Sequence, residues 1–243
     1  MCGRYALTLP PDAMRRLFDY PEQPNFPPRW NIAPTQPVPI IRRHSDTRPH
    51  VAVVRWGLVP QWAREVSGKP LINARGETVA EKPAFRAAFQ RRRCLIPADG
   101  FYEWKTTTTG LKQPYLIRRR DRGMMAFAGI WERWHAADGS QLESCCIVTT
   151  QANAPLSAVH HRMPVILHEA GWDTWMDRSH RRMAEALALI APAPDDLLDI
   201  TAISHRINSV ANDDETVQAP AGPQTTVTQA ETPKTPTAQM TLF

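Results

Sequence analysis

The sequence predicts an α+β fold built on antiparallel sheet, and three observations carry that expectation. Short β-rich runs recur through the first 212 residues, turn signals separate several of them, and helical periodicity is confined to a few places. In chain order, the first helical stretch is 11–18, opened by prolines with Asp12 in the first turn. Strand-like runs follow at 51–58, 94–96, 115–117, 125–134, 145–150 and 164–167. Asp99-Gly100, the threonine run closing at Gly110, and Asp138-Gly139 supply turns. A second helix is expected at 83–92, where Pro83 suits a first helical position and Phe85, Ala88 and Phe89 share one face. Two more are expected at 169–176 and 180–190. Strands this close pair as hairpins and leave the helices peripheral.

With 243 residues, 42% of them hydrophobic and 22% charged, the chain can bury a sizeable core. Its longest apolar run, Met124 to Trp131, falls far short of the roughly 18 residues a membrane span needs. The opening MCGRYALTLPP lacks a secretory h-region, and Cys2, Cys94, Cys145 and Cys146 form neither a disulfide framework nor paired C-x-x-C knuckles. There is no Walker A loop and no G-x-G-x-x-G. The expectation is a cytoplasmic monomer with no membrane partner, no metal and no cofactor.

The net charge of +5 hides an uneven split. Residues 213–243 hold Asp213, Asp214, Glu215 and Glu231 against Lys234 alone, which leaves 28 basic and 20 acidic residues, a net +8, in residues 1–212. That body reads as one moderately basic domain, compatible with a phosphate-bearing partner. Residues 213–243 read as a disordered tail. From about Thr216 the text runs to Thr, Pro, Gln and Ala, with too little apolar surface to offset the entropy of ordering.

Chemistry begins at the second residue. Once Met1 is removed, Cys2 presents an α-amine and a thiol on adjacent carbons, with unperturbed pKa values of ~7.7–8.0 and ~8.5. An extreme N-terminus is rarely packed inside, so an accessible thiol is expected rather than a buried structural one. Two reactions are open. The thiolate can attack an amide, as in N-terminal nucleophile hydrolysis, or the amine can form a Schiff base with an aldehyde that the thiol closes to a thiazolidine.

Polar groups elsewhere stand in suggestive settings. Asn73 lies in LINARGET, as a functional amide or a turn residue. Glu103 lies in ADGFYEW between aromatics; burial there would raise its pKa as a general acid/base needs, whereas an outward-facing position would not. His160 and His161 precede a strand-like run in VHHRMPVIL. The arginines at 91–93 and 118–120 read as solvated faces or strand ends. Trp56, Trp104, Trp131 and Trp134 are core candidates, while Trp62, after Val59-Pro60-Gln61, sits in a loop where an indole can stack on a base.

Six blocks, in order and spacing, resemble one family. They are MCGRY at 1–5, RWNIAP at 29–34, RWGLVPQW at 55–62, LINARGET at 71–78, CLIPADGFYEWK at 94–105 and HHRMPVIL at 160–167. Together they are similar to the SRAP family, the SOS response-associated peptidases or abasic site processing proteins. The resemblance spans 1–212. It implies an SRAP-type fold with a barrel-like core and a positively charged cleft for single-stranded DNA containing abasic sites. It implies removal of Met1, then capture of the ring-opened aldehyde by Cys2 as a thiazolidine crosslink in the DNA damage response. On matching motif positions it implies that Cys2 is the nucleophile, Asn73 positions the N-terminus and the sugar, Glu103 is the acid/base group, and His160 assists ring opening. Arg4, Arg75 and Arg162 are then phosphate contacts, with Trp62 as a stacking platform. Some relatives carry a second aromatic after the Trp62 position, where this chain has Ala63.

Two other readings remain open. Glutaminase-like amidohydrolases of the N-terminal nucleophile class also begin Met-Cys-Gly, but they use an Asn-Gly pair, and here Asn73 is followed by Ala74. A non-catalytic single-strand binder would explain the basic body but not the placement of Cys2. The tail ends Gln239-Met240-Thr241-Leu242-Phe243, which resembles the Q-x-x-L-F peptide that docks on the bacterial sliding clamp. Gln239, Leu242 and Phe243 are therefore expected to bind that clamp, placing the chain at replication forks.

Overall fold

The computed structural model describes residues 2–43, 48–66, 68–177 and 182–222. Its strands in chain order are β1 (Tyr5–Leu7), β2 (Arg29–Ile32), β3 (Pro37–Arg43), β4 (Pro49–Trp56), β5 (Asn73–Arg75) and β6 (Arg93–Ala98). Then come β7 (Gly100–Thr106), β8 (Lys112–Arg119), β9 (Met125–His135), β10 (Gln141–Gln151), β11 (Arg162–Pro164), β12 (Ile166–Leu167) and β13 (Leu198–Ala202). The helices are short and peripheral: α1 (Pro11–Phe18), α2 (Arg86–Arg91), α3 (Ala154–Ser157), α4 (Trp172–Met176) and α5 (Met183–Ala188).

One sheet closes on itself. β3 pairs antiparallel with β4 and meets β6 at Ile41↔Leu95; β6 runs along β9, and β9 along β10. β10 returns to β4 in parallel at Ser144↔Arg55 and Cys145↔Trp56, which closes the ring. Farther along, β10 carries β5 in parallel and β11 antiparallel. The apolar run of β9 is the central wall of this barrel, which is why Met125, Phe127, Ala128 and Ile130 are all buried.

The other sheet has the order β13-β8-β7-β1-β2 and is covered on both faces. Alternation along its strands sorts the side chains. Tyr5, Phe101 and Ile117 join the main core, with the Tyr5 ring 5.1 Å from Trp56 and Phe101 5.8 Å from Phe127. Ala6, Tyr102 and Leu116 point the other way and pack with Ile203, Ile207 and Val217.

That second cluster moves the domain boundary. Residues 213–222, expected in the disordered tail, belong to the folded body. Asp213 accepts hydrogen bonds from the backbone N–H groups of Trp30 (2.6 Å) and Asn31 (2.8 Å), and Val217 is buried. Pro220 bridges Ile203. The acidic start of this segment satisfies the backbone N–H groups of the edge strand β2 and one valine closes a small core, which composition alone does not show. Gln239, Leu242 and Phe243 lie outside the described residues.

The helix at 11–18 stands as expected. The second begins only at Arg86, because Pro83 sits in a turn where Phe85 N–H donates to Lys82 O at 2.9 Å. The expected 169–176 helix divides into a 3-10 turn, Glu169–Gly171, and α4. Of 180–190, Met183–Ala188 are helical, and residues 180 and 181 are outside the described set. No helix among the described residues is long and apolar enough to cross a membrane.

Candidate active site

Cys2 leads into β1, an interior strand between β2 and β7. This draws the start of the chain inward, and Cys2 is fully buried, contrary to the expectation of an accessible terminus. Its Sγ lies 3.8 Å from Arg4 O. Burial raises the thiol pKa strongly and the Glu103 carboxylate raises it further, so the thiol is neutral in this state.

Asn73 opens β5, whose pairing with β10 at Ile147 fixes its height on the sheet. Its Nδ2 donates to Cys2 O at 2.9 Å. Its Oδ1 is buried and, among the described residues, has no hydrogen-bond partner, an arrangement that costs roughly 1–3 kcal/mol unless a ligand or another group fills it. Two residues on, Arg75 is exposed on the same face of the strand.

Glu103 sits on β7 two residues after Phe101 and therefore on the inward face. It is buried, and burial raises its pKa, partly offset by hydrogen bonding. Its Oε1 lies 3.8 Å from His160 Nδ1. His160 follows α3, where Asn153 caps the helix and His160 N–H closes onto Leu156 O. Its Nδ1 is 3.0 Å from Arg162 N, and burial lowers its pKa, which favours the neutral imidazole. The exposed His161 ring stacks on it at 4.5 Å and 27°.

The cationic candidates divide. Arg4 is half-buried and anchored, its Nη1 donating to Asn31 Oδ1 (2.7 Å) and Ile207 O (2.9 Å). Arg162, expected to contact phosphate, is instead a buried guanidinium. It pairs with both carboxylate oxygens of Glu77 and donates to Thr149 O at 2.8 Å. A phosphate reaches it only by competing with Glu77. Trp62 is 67% exposed but lines a separate groove with Pro60, Pro83, Ala84, Ala87 and Glu132, outside the Glu103 pocket.

The Glu103–His160 pocket, about 400 Å³, is completed by Arg4, Trp104, Lys112 and Asn208. Trp104, read from the sequence as core, is half-buried and lines the opening, its Nε1 donating to Asn208 Oδ1 at 2.8 Å. Neither Lys112 nor Asn208 stands in a motif, whereas Asn31 lies inside RWNIAP without an evident role in the sequence. Among the described residues, no group of three His, Cys, Asp or Glu side chains is placed to hold a metal.

Comparison with known proteins converges on one family. The family model for the SOS response associated peptidases matches residues 1–210. Abasic site processing protein YoqW of Bacillus subtilis is 36% identical over 217 residues, covering 87% of this chain and 96% of that protein. Abasic site processing protein HMCES of Rattus norvegicus is 31% identical over 271 residues, covering 91% of this chain and 76% of that one. A crystal structure of a Bordetella bronchiseptica protein superposes with a TM-score of 0.73 at 28% identity, covering 84% of this chain and all 100% of that one. One from Bacteroides thetaiotaomicron, at 24% identity, shares the fold with a TM-score of 0.79 over 90% of this chain and 100% of that one.

Proposed function

The chain belongs to the SOS response associated peptidase family, and from that membership we propose that it binds single-stranded DNA and captures abasic sites covalently through Cys2. The observation that carries this reading is the linkage of four residues from separate segments. Asn73 holds the Cys2 carbonyl, the Cys2 thiol feels the Glu103 charge, and Glu103 faces His160. The names of the relatives YoqW and HMCES support abasic sites as the substrate.

In this reading, hydrolysis of the Met1–Cys2 bond consumes one water and frees the α-amine, with Glu103 as acid/base group. The amine attacks the aldehyde carbon of the ring-opened sugar. The hydroxyl so formed leaves as water, taking a proton from Glu103. The Schiff base so formed is protonated; the thiol adds to it, sulfur to carbon as the C=N π pair moves to nitrogen, and the thiol proton returns to Glu103, closing the thiazolidine. His160, neutral at rest, moves the proton that opens the sugar ring. Arg4 and Arg75 hold phosphates, Arg162 does so when Glu77 yields, and Trp62 stacks on a base in its own groove. Phosphate contacts hold any sequence alike, as a lesion defined by a missing base requires.

Intact mass spectrometry tests this with the full chain and an oligonucleotide bearing one abasic site. The expected species has lost Met1 and gained the strand less one water, and Cys2→Ala gives none of it. No mass gain with the unaltered chain, or an undiminished heat-stable adduct from Cys2→Ala, overturns the reading.

A further inference from the structure

The pocket mouth holds a cation that the mechanism leaves unused. Lys112, at the start of β8, is exposed and lines the same pocket as Glu103 and His160. Among the described residues it forms no ion pair, whereas Arg29, Arg92, Arg133 and Arg162 each meet a carboxylate at 2.5–2.7 Å. Its neighbours in the pocket wall are fixed. The Trp104 indole is held by Asn208, and Arg4 is clamped by Asn31 and Ile207 with its guanidinium 5.9 Å from the Trp104 ring centre. Arg4 Nε is buried and has no hydrogen-bond partner among the described residues. An anchored guanidinium beside a flexible ammonium is a preorganised site for one anion.

Depth separates the charges. Glu103 is 4% exposed and lies at the bottom, where an aldehyde has to reach Cys2, while Lys112 stands at the rim. We propose that Lys112 and Arg4 form a phosphodiester subsite at this rim, walled by Trp104 and Asn208, which grips one backbone phosphate flanking the abasic sugar and so fixes the depth of the sugar below it. The proposal rests on the abasic-site reading above. It adds a second cation to Arg4 and confines both to a single phosphate, instead of spreading them along the strand.

A charge-deletion scan tests it. Single-stranded oligonucleotides with one abasic site each carry one uncharged methylphosphonate, moved stepwise through the flanking linkages. They are bound to the full chain and to Lys112→Gln and Lys112→Arg at about 50 mM salt. At one linkage, neutralisation should weaken binding by the unaltered chain about three- to ten-fold, weaken Lys112→Gln clearly less because Arg4 alone remains there, and regain its full effect in Lys112→Arg. If Lys112→Gln loses as much as the unaltered chain at every linkage while both still crosslink, the subsite is wrong and the functional reading stands. If the unaltered chain neither binds nor crosslinks any of these strands, the functional reading fails and the subsite with it.

Discussion

Asn31 offers the sharpest test of how the site is assembled. Its side chain is fully buried, and the amide is used at both ends. Oδ1 accepts from Arg4 Nη1 at 2.7 Å, and Nδ2 faces Asn212 O at 2.7 Å, Ser209 O at 2.9 Å and Ile207 O at 3.3 Å. Two N–H groups cannot serve three carbonyls fully, so the longest contact is a shared bond. Asn31→Ala removes one charge-assisted bond and two good neutral ones, and leaves their partners poorly satisfied. At about 1 kcal/mol net for each neutral bond and ~1.5–3 for the charged one, the loss comes to about 3–5 kcal/mol. For a domain of this size that lowers the melting temperature by roughly 6–20 °C. Arg4 also loses its anchor and Asn208 its support, so affinity for single-stranded DNA should fall about three- to ten-fold. Asn31→Asp keeps an acceptor for Arg4 but sets a carboxylate oxygen against the carbonyls of 207–212. It should therefore melt early while retaining more affinity than the alanine variant. Urea unfolding and fluorescence anisotropy read both quantities. A melting point for Asn31→Ala within about 2 °C of the unaltered chain would refute the account of Asn31 as the joint between the two pocket walls.

Three further outcomes follow from the same geometry. The folded-state pKa of Glu103 is raised by burial, so its contribution to stability is complete below the unfolded value and is lost as pH rises through the folded one; Glu103→Gln should be the more stable protein at pH 8, with the gap closing toward pH 4, yet crosslink roughly 10²–10⁴-fold more slowly, and a less stable glutamine variant at pH 8 contradicts this. Glu77, whose pKa is lowered chiefly by its hydrogen bond from Arg162, would compete with a phosphate for that guanidinium; Glu77→Gln should tighten single-strand binding severalfold and steepen its salt dependence, and unchanged affinity would make Arg162 a purely internal tie. A labelled peptide of residues 232–243 should bind purified bacterial sliding clamp in the micromolar range and lose that binding on joint Leu242→Ala and Phe243→Ala substitution; no saturable binding up to roughly 1 mM, about −4 kcal/mol, retires the clamp motif.

Local signals read well in this chain where a few adjacent residues decide the outcome. Pro11 and Asp12 mark the start of α1, and the strongly apolar β9 with the Asp138-Gly139 turn announces the β9–β10 hairpin. β3 carries no strand signal in the sequence, where Pro37 and Pro39 read against one. Its pairing with β6 is confined to Ile41↔Leu95, so the ladder accommodates the prolines. β1 and β2 are too short for any pattern and exist because partners far away in sequence flank them. Cys2, Asn73, Glu103 and His160 were readable as candidates because each stands in a block with its own local grammar. The pocket wall was not. Asn208 reaches Trp104 across 104 residues, and Arg4 reaches Ile207 across 203, separations at which no sequence pattern operates.

The burial of Cys2 bears on the order of events. A thiol held neutral in the core is a poor attacking group, which at first sight argues against a nucleophilic cysteine. In thiazolidine formation, however, the sulfur acts second. The first bond is made by the α-amine, and the Schiff base it forms is protonated, placing a positive charge on the nitrogen bonded directly to the Cα that bears the CH₂–SH arm. A cation at that distance in a low-dielectric site favours the thiolate, reversing the effect that burial and Glu103 exert on the free thiol. On the proposed mechanism the reactive sulfur would be generated only after an aldehyde has been captured. Until then the same burial that raises its pKa keeps it from oxidants and stray electrophiles. If capture proceeds as proposed, the interior position of β1, which pulls the chain start into the core, would make sulfur reactivity conditional on substrate.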